Sequence, residues 1–338
     1  MLSLQRADNK AILLELNNIL CFAVIRNESL RLPFFLKYYR EKGIDKFFIV
    51  DNDSDDETLS YLLQQPDTYV WHTKDSFKNK LVWLEWLLKS YGNNHWCLMA
   101  DADEILYYPD CETKLIKDLC RQLDRQKKDA LKVLMLDMYS DKPIREVQYQ
   151  QGTHFLEACP YFDRKFYHHK EGLRHDYYWG GLRERVFGTI TNASSKKLYC
   201  LTKFPLIKYN SKMQLYSDHM IKNIKCSSTT GCFLHFKYLS SFVNYVNQEI
   251  QRKQHWQGAI EYKKYAQALE EDEKLNFYNE KLSLRLVNSR KLIAMGIIKR
   301  GHQHWLGEVV YDLYVLVRAL GKALSKKIIM SKMKIGNM

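Results

Sequence analysis

The 338-residue sequence is poor in residues that form flexible connections, since it has only 14 glycines and 6 prolines. It also lacks an uncharged apolar run near the ~18 residues that a membrane-spanning helix needs. The N-terminal stretch "MLSLQRADNKAILLELNNIL" mixes acids and amides with its apolar residues, unlike a signal peptide. Its eight cysteines form no CxxC pair and no zinc-type spacing. These absences predict a chain without long linkers in the reducing cytoplasm.

Acidic residues are in deficit, with 39 Asp and Glu against 52 Lys and Arg, so the net charge is +13. Such an excess favours partners that carry phosphates, namely nucleic acids, nucleotides or an anionic membrane surface. The basic residues are spread along the chain, however, and several acids follow strand-like runs, where they would repel a nucleic-acid backbone. Nucleic acid is therefore not an expected partner.

The first 140 residues alternate between strand-like runs and helical patterns. Apolar strand-like runs lie at 21–28, 45–52, 68–73, 95–101 and 131–140, and helical patterns lie at 30–43, 78–92 and 112–128. This alternation predicts an α/β fold with a mostly parallel sheet covered by helices on both faces. Residues 141–240 contain shorter strand-like pieces, including "ERVFGTI" (184–190), and residues from 241 onward are helical and highly charged.

Acids gather at the carboxyl ends of the predicted strands, where ligands of open α/β sheets bind. They are Glu28, Asp51, Asp53, Asp101 and Asp103. The two carboxylates of "DAD" can point to one centre, and Mg²⁺ or Mn²⁺ prefers oxygen ligands while leaving sites for a diphosphate. A helix cap or a surface acidic turn is the simpler alternative. The buried run before the motif favours a metal–diphosphate site.

Two further acidic or glycine-rich stretches have a structural and a functional interpretation. In "VDNDSDDET" (50–58), Ser54 or Asp55 can cap the next helix, while carboxylates can accept hydrogen bonds from a base or ribose. In "WGGLRERVFG" (179–188), the glycines let a ligand approach the backbone closely. If this stretch is extended, Glu184 lies opposite the two arginines and is a candidate general base. A structural ion pair is equally compatible with the pattern.

A histidine interrupts the last apolar strand-like run, "CFLHFKYL" (232–239). A lone strand histidine is usually a hydrogen-bonded core residue. In a chain that also has an Asp-x-Asp motif, His235 becomes a candidate metal ligand.

Together these stretches resemble family 2-like glycosyltransferases of the GT-A fold. The similarity lies in "RNE" (26–28), "DNDSDD" (51–56), "DADE" (101–104), "GGLRERVF" (180–187), "KFP" (203–205) and "LHFKY" (234–238), in that order. It implies a Rossmann-like catalytic domain over 1–240, with a nucleotide-sugar half at 21–140 and an acceptor half at 141–240. The helical region 241–338 would follow as a separate extension.

The resemblance also implies roles for individual residues. Near the nucleotide donor it places Ala23, Arg26, Asn27, Glu28, Asp51, Asp53, Lys80, Asp101, Gly180, Gly181 and Arg183. It assigns Asp101, Asp103 and His235 to a Mn²⁺ or Mg²⁺ ion, with Asp103 as the direct ligand of the motif. The family places a catalytic acid after the glycines, often written "ED". This chain has Arg183-Glu184 there, so Glu184 is the first candidate base and Asp218 the second.

The activity that the resemblance implies is inverting, metal-dependent sugar transfer from a nucleotide donor, expected to be a UDP-sugar. The acceptor would be a hydroxyl of a glycan or of a lipid-linked molecule in cell-surface polysaccharide synthesis. A nucleotidyltransferase and a nucleic-acid-binding protein are the alternatives. Nucleotidyltransferases usually have a glycine-rich basic loop after their first strand, and "AVIRNESLRLP" has no glycine.

The C-terminal sequence from about 303 has apolar residues at helical spacing and a basic end. This pattern predicts an amphipathic helix. The helix could pack on the catalytic domain, or it could attach the protein to an anionic membrane surface. The second hypothesis places the enzyme peripherally on the inner face of the membrane.

Overall fold

A computed structural model describes residues 3–164, 167–171, 176–188, 199–254, 256–302, 306–318 and 320–321. The strands are β1 (Gln5–Arg6), β2 (Ile19–Ile25), β3 (Lys46–Asp51), β4 (Thr68–His72), β5 (Trp96–Met99), β6 (Glu104–Tyr107), β7 (Ala130–Asp137), β8 (Tyr161–Asp163), β9 (Tyr167–Glu171), β10 (Asp176–Gly180), β11 (Thr202–Lys208), β12 (Gln214–Leu215), β13 (Ile221–Lys222), β14 (Cys226–His235) and β15 (Ser283–Arg285). The helices are α1 (Leu32–Glu41), α2 (Thr58–Leu63), α3 (Lys80–Leu87), α4 (Ile116–Arg125), α5 (Phe155–Ala158), α6 (Leu182–Phe187), α7 (Phe242–Arg252), α8 (Trp256–Glu271), α9 (Ser289–Ala294) and α10 (306–318).

A central sheet of nine strands organises the described residues, in the order β1-β4-β3-β2-β5-β11-β7-β14-β6. Parallel pairing joins β4, β3, β2 and β5, and also joins β7 to β14. Strands β1, β11 and β6 run against their neighbours. Six of the nine strands therefore share one direction, which confirms the predicted α/β class with a mostly parallel sheet.

Helices cover both faces of this sheet because alternate residues of the buried strands point to opposite sides. In β2, Cys21 and Ala23 belong to a core cluster that includes the apolar side chains of α1 and α4. Phe22 and Val24 belong to a second cluster that includes Trp83 and its neighbours on α3. The continuous apolar run in the sequence is thus a strand buried on both faces.

Several predicted elements agree closely with the structure. Helix α1 begins one residue before Pro33, and the chain turns at Gly43, which has a positive φ of 89°. A proline in the first turn and a glycine after the last turn are the expected boundary residues. The predicted strand-like run 131–140 corresponds to β7, which ends at Asp137.

The prediction of an extended segment at 184–190 is wrong for its described part. Gly180 and Gly181 have φ values of 92° and 72°, and α6 begins directly after them. A Cβ atom at Gly181 would lie 3.3 Å from both Leu201 Cδ1 and Tyr167 Cε1. The glycine pair makes a tight reversal of the chain, and a helical turn follows it instead of a strand. Residues 189 and 190 lie outside the described residues.

The described part of the C-terminal region is mostly helical, as predicted, although β15 pairs with β8. Helices α7 and α8 pack against each other and against α6 through an aromatic cluster, which includes Phe187, Tyr238, Phe242, Tyr262 and Tyr265. Within the described residues, no helix has both the length and the apolarity that crossing a bilayer requires. The division of the chain at residue 240 stays a prediction.

Candidate functional site

A cavity of about 690 Å³ opens at the carboxyl ends of β2, β5 and β14. Its walls come from the loop after β2, the "DADE" turn after β5, residues 217–220, the end of β14, and helices α7 and α8. This is the position where an open α/β sheet binds its ligands. The cavity therefore brings together stretches that are more than 200 residues apart in the sequence.

Two lysines neutralise two of the three acids in the "DADE" turn. Lys80 Nζ donates to both oxygens of Asp101, at 2.8 and 3.0 Å. Lys203 Nζ donates to both oxygens of Glu104, at 2.9 and 2.8 Å, and this pair is buried. Glu104 Oε2 also accepts from the backbone N–H of Asp101. Glu104 and Lys203 thus hold the turn in place, and neither was assigned a site role from the sequence.

Asp103, the remaining acid of the turn, meets His235. The distance from Asp103 Oδ2 to His235 Nε2 is 3.3 Å. On its other side, His235 Nδ1 lies 2.7 Å from Asp137 Oδ1, and Arg183 Nε donates to Asp137 Oδ2 at 3.0 Å. The resulting chain Asp103–His235–Asp137–Arg183 is largely buried. The partners implied by the resemblance, Asp103 and His235, are adjacent in the structure.

Neighbouring charges set the pKa values within the Asp103–His235–Asp137–Arg183 network. Burial alone would lower the pKa of His235, but Asp103 and Asp137 raise it to about 9. Burial raises the pKa of Asp103, yet His235 and Arg31 hold it below its usual range. In the same way Arg183 and His235 hold the pKa of Asp137 below its ordinary value, despite burial. Both carboxylates therefore stay ionised at neutral pH.

A divalent cation between Asp103 and His235 would displace the proton that His235 Nε2 carries at neutral pH, and both side chains could then act as ligands. Asp137 accepts from the Nδ1 side of the histidine, which leaves Nε2 to face Asp103, and such a carboxylate behind the ring is typical of metal-binding histidines. The third predicted ligand, Asp101, is held by Lys80. Among the described residues, no group of three or more His, Cys, Asp or Glu side chains is arranged to hold a metal. A cation bound here would take its other ligands from a substrate.

The charges that line the cavity differ from those of the chain as a whole. Its carboxylates are Glu28, Asp56, Asp101, Asp103, Glu104, Asp218 and Glu261, and its lysine and arginine side chains are Arg26, Arg31, Lys80, Arg183, Lys237 and Arg252. With His235, whose pKa is raised to about 9, the seven acids are matched by seven cations, so the cavity lacks the positive excess of the whole protein, which has a net charge of +13. An anionic diphosphate would bind more favourably in such a cavity together with a cation.

The loop after β2 places three predicted residues in the cavity wall. Arg26 donates to the backbone carbonyls of Asn52 and Asp53, which joins this loop to the loop after β3. Asn27 has a φ of 53°, a turn conformation that asparagine tolerates. Glu28 accepts from Arg31. Burial raises the pKa of Glu28 to about 7 despite Arg31, and the charges of Asp103 and Asp101 act in the same direction as burial.

Three residues predicted to lie near the nucleotide, Asp51 and Asp53 at its base and ribose and Ala23 beside it, are found outside the cavity wall. Ala23 and Asp51 are buried, and Asp51 Oδ2 lies 2.9 Å from His72 Nδ1. Asp53 is partly exposed and lies 3.7 Å from Arg26. These three residues are not part of the cavity lining. Their role in nucleotide binding stays a prediction.

The glycine loop positions Arg183 and directs Glu184 elsewhere. Because α6 is helical, successive side chains point in different directions. Arg183 lines the cavity, whereas Arg185 forms an ion pair with the buried Asp163. Glu184 Oε2 lies 2.6 Å from His168 Nε2 on β9. Gly180, Gly181 and Glu184 are not part of the cavity lining.

Asp218, the second candidate base, does line the cavity, and its Oδ2 lies 3.7 Å from Lys80 Nζ. Burial raises its pKa, but His219, Lys80 and Lys203 outweigh that effect and hold the pKa below its usual range. A further carboxylate, Glu261 of α8, lies across the cavity within 3.5 Å of Arg183. The sequence did not identify Glu261 as a site residue, because Glu261 is one of many charged residues in a predicted helix.

No protein-family model matches this sequence, and a search of curated proteins gives no significant match. Solved structures with some similarity include a 4-diphosphocytidyl-2C-methyl-D-erythritol synthase, with 14% identity and a TM-score of 0.24. That alignment covers 40% of this chain and 65% of the other, which is just under two thirds of its length.

Two further similar structures are aligned over nearly their whole length. One is a protein from Bacillus anthracis assigned as a glucose-1-phosphate thymidylyltransferase, with sucrose bound, at 10% identity and a TM-score of 0.29, covering 84% of this chain and 98% of that one. The other is the 4-diphosphocytidyl-2C-methyl-D-erythritol synthase of Anaerococcus prevotii, at 9% identity and a TM-score of 0.25, covering 89% and 99%. Similarities this weak carry no functional conclusion, so the function must be inferred from the cavity.

Proposed function

We propose that this protein is an inverting, metal-dependent glycosyltransferase that moves a sugar from a UDP-sugar to a hydroxyl group of a glycan or lipid-linked acceptor. The observation that supports the proposal most directly is the meeting of the "DADE" turn with His235 in one cavity. Asp103 and His235 come from the ends of β5 and β14, and their donor atoms lie 3.3 Å apart. A nucleotide diphosphate with its cation is the ligand that this pair suits best.

Different cavity residues would bind different parts of the nucleotide-sugar donor. Asp103 and His235 would hold Mn²⁺ or Mg²⁺, which supplies Lewis-acid stabilisation of the departing diphosphate. Lys80 and Arg31 add fixed positive charge to the same wall. Asp101, held by Lys80, would accept hydrogen bonds from the sugar or ribose. Asp137 and Arg183 keep His235 in the orientation that the site requires.

Inversion needs one base on the face of the sugar opposite the diphosphate. We assign this role to Asp218, because it lines the cavity and stays ionised, whereas Glu184 faces His168 outside the lining. Asp218 would accept the proton of the acceptor hydroxyl while the oxygen bonds to the sugar carbon and the bond to the diphosphate breaks. A single carboxylate suffices, since no covalent intermediate forms.

The acceptor would enter from the side of α7 and α8, where Tyr245 and Tyr262 line the cavity. Aromatic faces of this kind commonly pack against sugar rings. A lipid-linked acceptor would bring the enzyme to the inner face of a membrane, which agrees with the peripheral location predicted from the C-terminal sequence. Cell-surface polysaccharide synthesis is the process that these proposals suggest.

A panel of nucleotide sugars tests the proposal. With Mn²⁺, one UDP-sugar should raise the melting temperature, and without Mn²⁺ or in the Asp103→Asn variant this rise should be lost. Turnover should release UDP. A nucleotidyltransferase, the alternative from the sequence, would instead consume a nucleoside triphosphate and a sugar phosphate and release pyrophosphate. Pyrophosphate release, or no response to any nucleotide sugar, contradicts sugar transfer.

A further inference from the structure

Helix α10 has its polar side against the protein and its apolar side toward solvent. Glu308 is buried, and Tyr311, Val315 and Arg318 are half-buried. The large side chains on the other side are all apolar and exposed: Leu306, Val309, Val310, Leu313, Tyr314, Leu316, Val317 and Leu320. This is the reverse of an ordinary surface helix, which buries its apolar stripe in the core.

Buried charges fix this orientation. Glu308 accepts from the backbone N–H and the hydroxyl of Ser228 and lies 3.4 Å from Lys128 Nζ. The Lys128 ammonium is also buried and donates to Asp312 at 2.6 Å. Rolling the helix to bury its apolar side would leave Lys128 buried without its acidic partners, which is strongly unfavourable. The apolar side is therefore held outward.

A stripe of eight exposed apolar side chains on one helix indicates a binding partner, because soluble monomers rarely expose contiguous apolar patches larger than a few hundred Å². Val310 and Val317 are 65% and 66% exposed, and Leu313 between them is 55% exposed. These three residues lie on one side of α10, at positions i, i+3 and i+7. The stripe can enter an apolar phase without any change in the helix.

The charge of the chain around the stripe indicates which partner it meets. From 313 to 338 the sequence has no Asp or Glu but has Lys322, Lys326, Lys327, Lys332 and Lys334, whereas Arg318 pairs with Asp176 on the protein side of α10. Two copies paired through their stripes would bring these positive segments together, and the repulsion would oppose such a dimer. Anionic lipid headgroups, in contrast, attract a basic segment beside an apolar stripe.

We propose that α10 docks the protein on an anionic membrane surface. The outward apolar stripe enters the boundary between headgroups and acyl chains, and the positive charge of the sequence after it attracts the lipid phosphates. Glu308 and Lys128 anchor the helix to the catalytic domain, so the domain is held at the membrane in one orientation. This docking specifies how the proposed membrane association occurs, and it does not depend on the proposed reaction.

Vesicle co-sedimentation of the full chain tests the docking. Wild type should bind vesicles of phosphatidylcholine with phosphatidylglycerol, and added salt or pure phosphatidylcholine should weaken binding about tenfold or more. The triple variant Val310→Ser, Leu313→Gln, Val317→Ser should bind about a hundredfold more weakly. A matched control, Leu13→Gln with Leu16→Gln, removes exposed apolar side chains elsewhere (76% and 87% exposed) and should bind like wild type.

Three results would overturn the docking. They are equal binding of wild type to both kinds of vesicle, unchanged binding of the triple variant, and a wild-type dimer in sedimentation that the triple variant abolishes, since the stripe would then serve a second copy. Because the replaced side chains are exposed, circular dichroism of the variants should match wild type. Vesicle binding without any sugar transfer would refute the reaction alone and leave the docking intact.

Discussion

Replacing Asp137 by asparagine would test whether Asp137 orients His235 for metal binding in addition to stabilising the fold. The aspartate accepts two hydrogen bonds, one at each oxygen, from Arg183 Nε and from the Nδ1 side of His235. Asparagine has one acceptor oxygen, so it cannot satisfy both donors. Either the arginine loses its partner, or the histidine loses the group that keeps Nε2 directed at Asp103.

The size of the effect follows from burial. Removing one partner of a buried ion pair costs about 3 to 5 kcal/mol. We expect the lower value, about 3 kcal/mol, because Arg183 retains a second acidic partner, Glu261, at 3.5 Å. At about 2 °C per kcal/mol for a chain of this size, the melting temperature should fall by about 6 °C. Loss of the carboxylate behind a metal-binding histidine should also weaken Mn²⁺ binding about tenfold to a hundredfold.

Asp163→Asn is the matched control. Asp163 is equally buried, its side chain accepts from Arg185 and Tyr139 within the described residues, and it does not line the cavity. Titration calorimetry with Mn²⁺ and thermal melts should show a comparable loss of stability in both variants, with weaker metal binding only in Asp137→Asn. Equal metal affinity in the two variants would refute a positioning role for Asp137.

Other parts of the site make separate predictions. Asp103→Asn should abolish turnover with little change in circular dichroism, and near-normal activity would exclude it as a metal ligand. Asp218→Asn should lower kcat about a hundredfold or more, while Glu184→Gln should have a mild effect, and the reverse order would restore Glu184 as the base. Because burial raises the pKa of Glu28 from 4.5 to about 7, the folded state keeps a proton that the unfolded chain releases. Stability should therefore fall as pH rises from 4.5 to about 7, and Glu28→Gln should remove that part of the melting profile, which an unchanged slope would contradict.

The sequence predicted the parts of the site that follow from strand order. Buried strands appear as apolar runs, and parallel strands end at one edge, so Asp101, Asp103 and the "RNE" loop could be placed together before the structure was known. Asp137 could have been found in the same way, since it ends the apolar run "LKVLMLD" just as Asp101 follows "CLMA". The sequence did not show that Asp137 lies beside His235, because this follows only from the pairing of β7 with β14 in the sheet.

Other features depended on tertiary contacts that no local pattern records. Two glycines with positive φ start a helix at 182, which turns Glu184 away from the cavity. Lys203 lies within a strand-like run, and its role appears only when β11 brings it to Glu104. The outward stripe of α10 has the same spacing as a buried one, so periodicity alone could not show which side faces solvent.

The "DADE" turn also links two parts of the sheet that are not neighbours. Ala100 N–H donates to Phe22 of β2, whereas the carbonyl of Asp103 accepts from Phe236 beyond the end of β14. Four residues, 100–103, cross the distance from β5 to the edge strand β6. Because Asp103 is tied to the end of β14, any change in the twist of one half of the sheet against the other would move Asp101, on the β5 side, relative to Asp103 and His235. The length of this bridge, as much as its carboxylates, is under constraint, and an inserted residue should be more damaging here than in the exposed turn at 272–274.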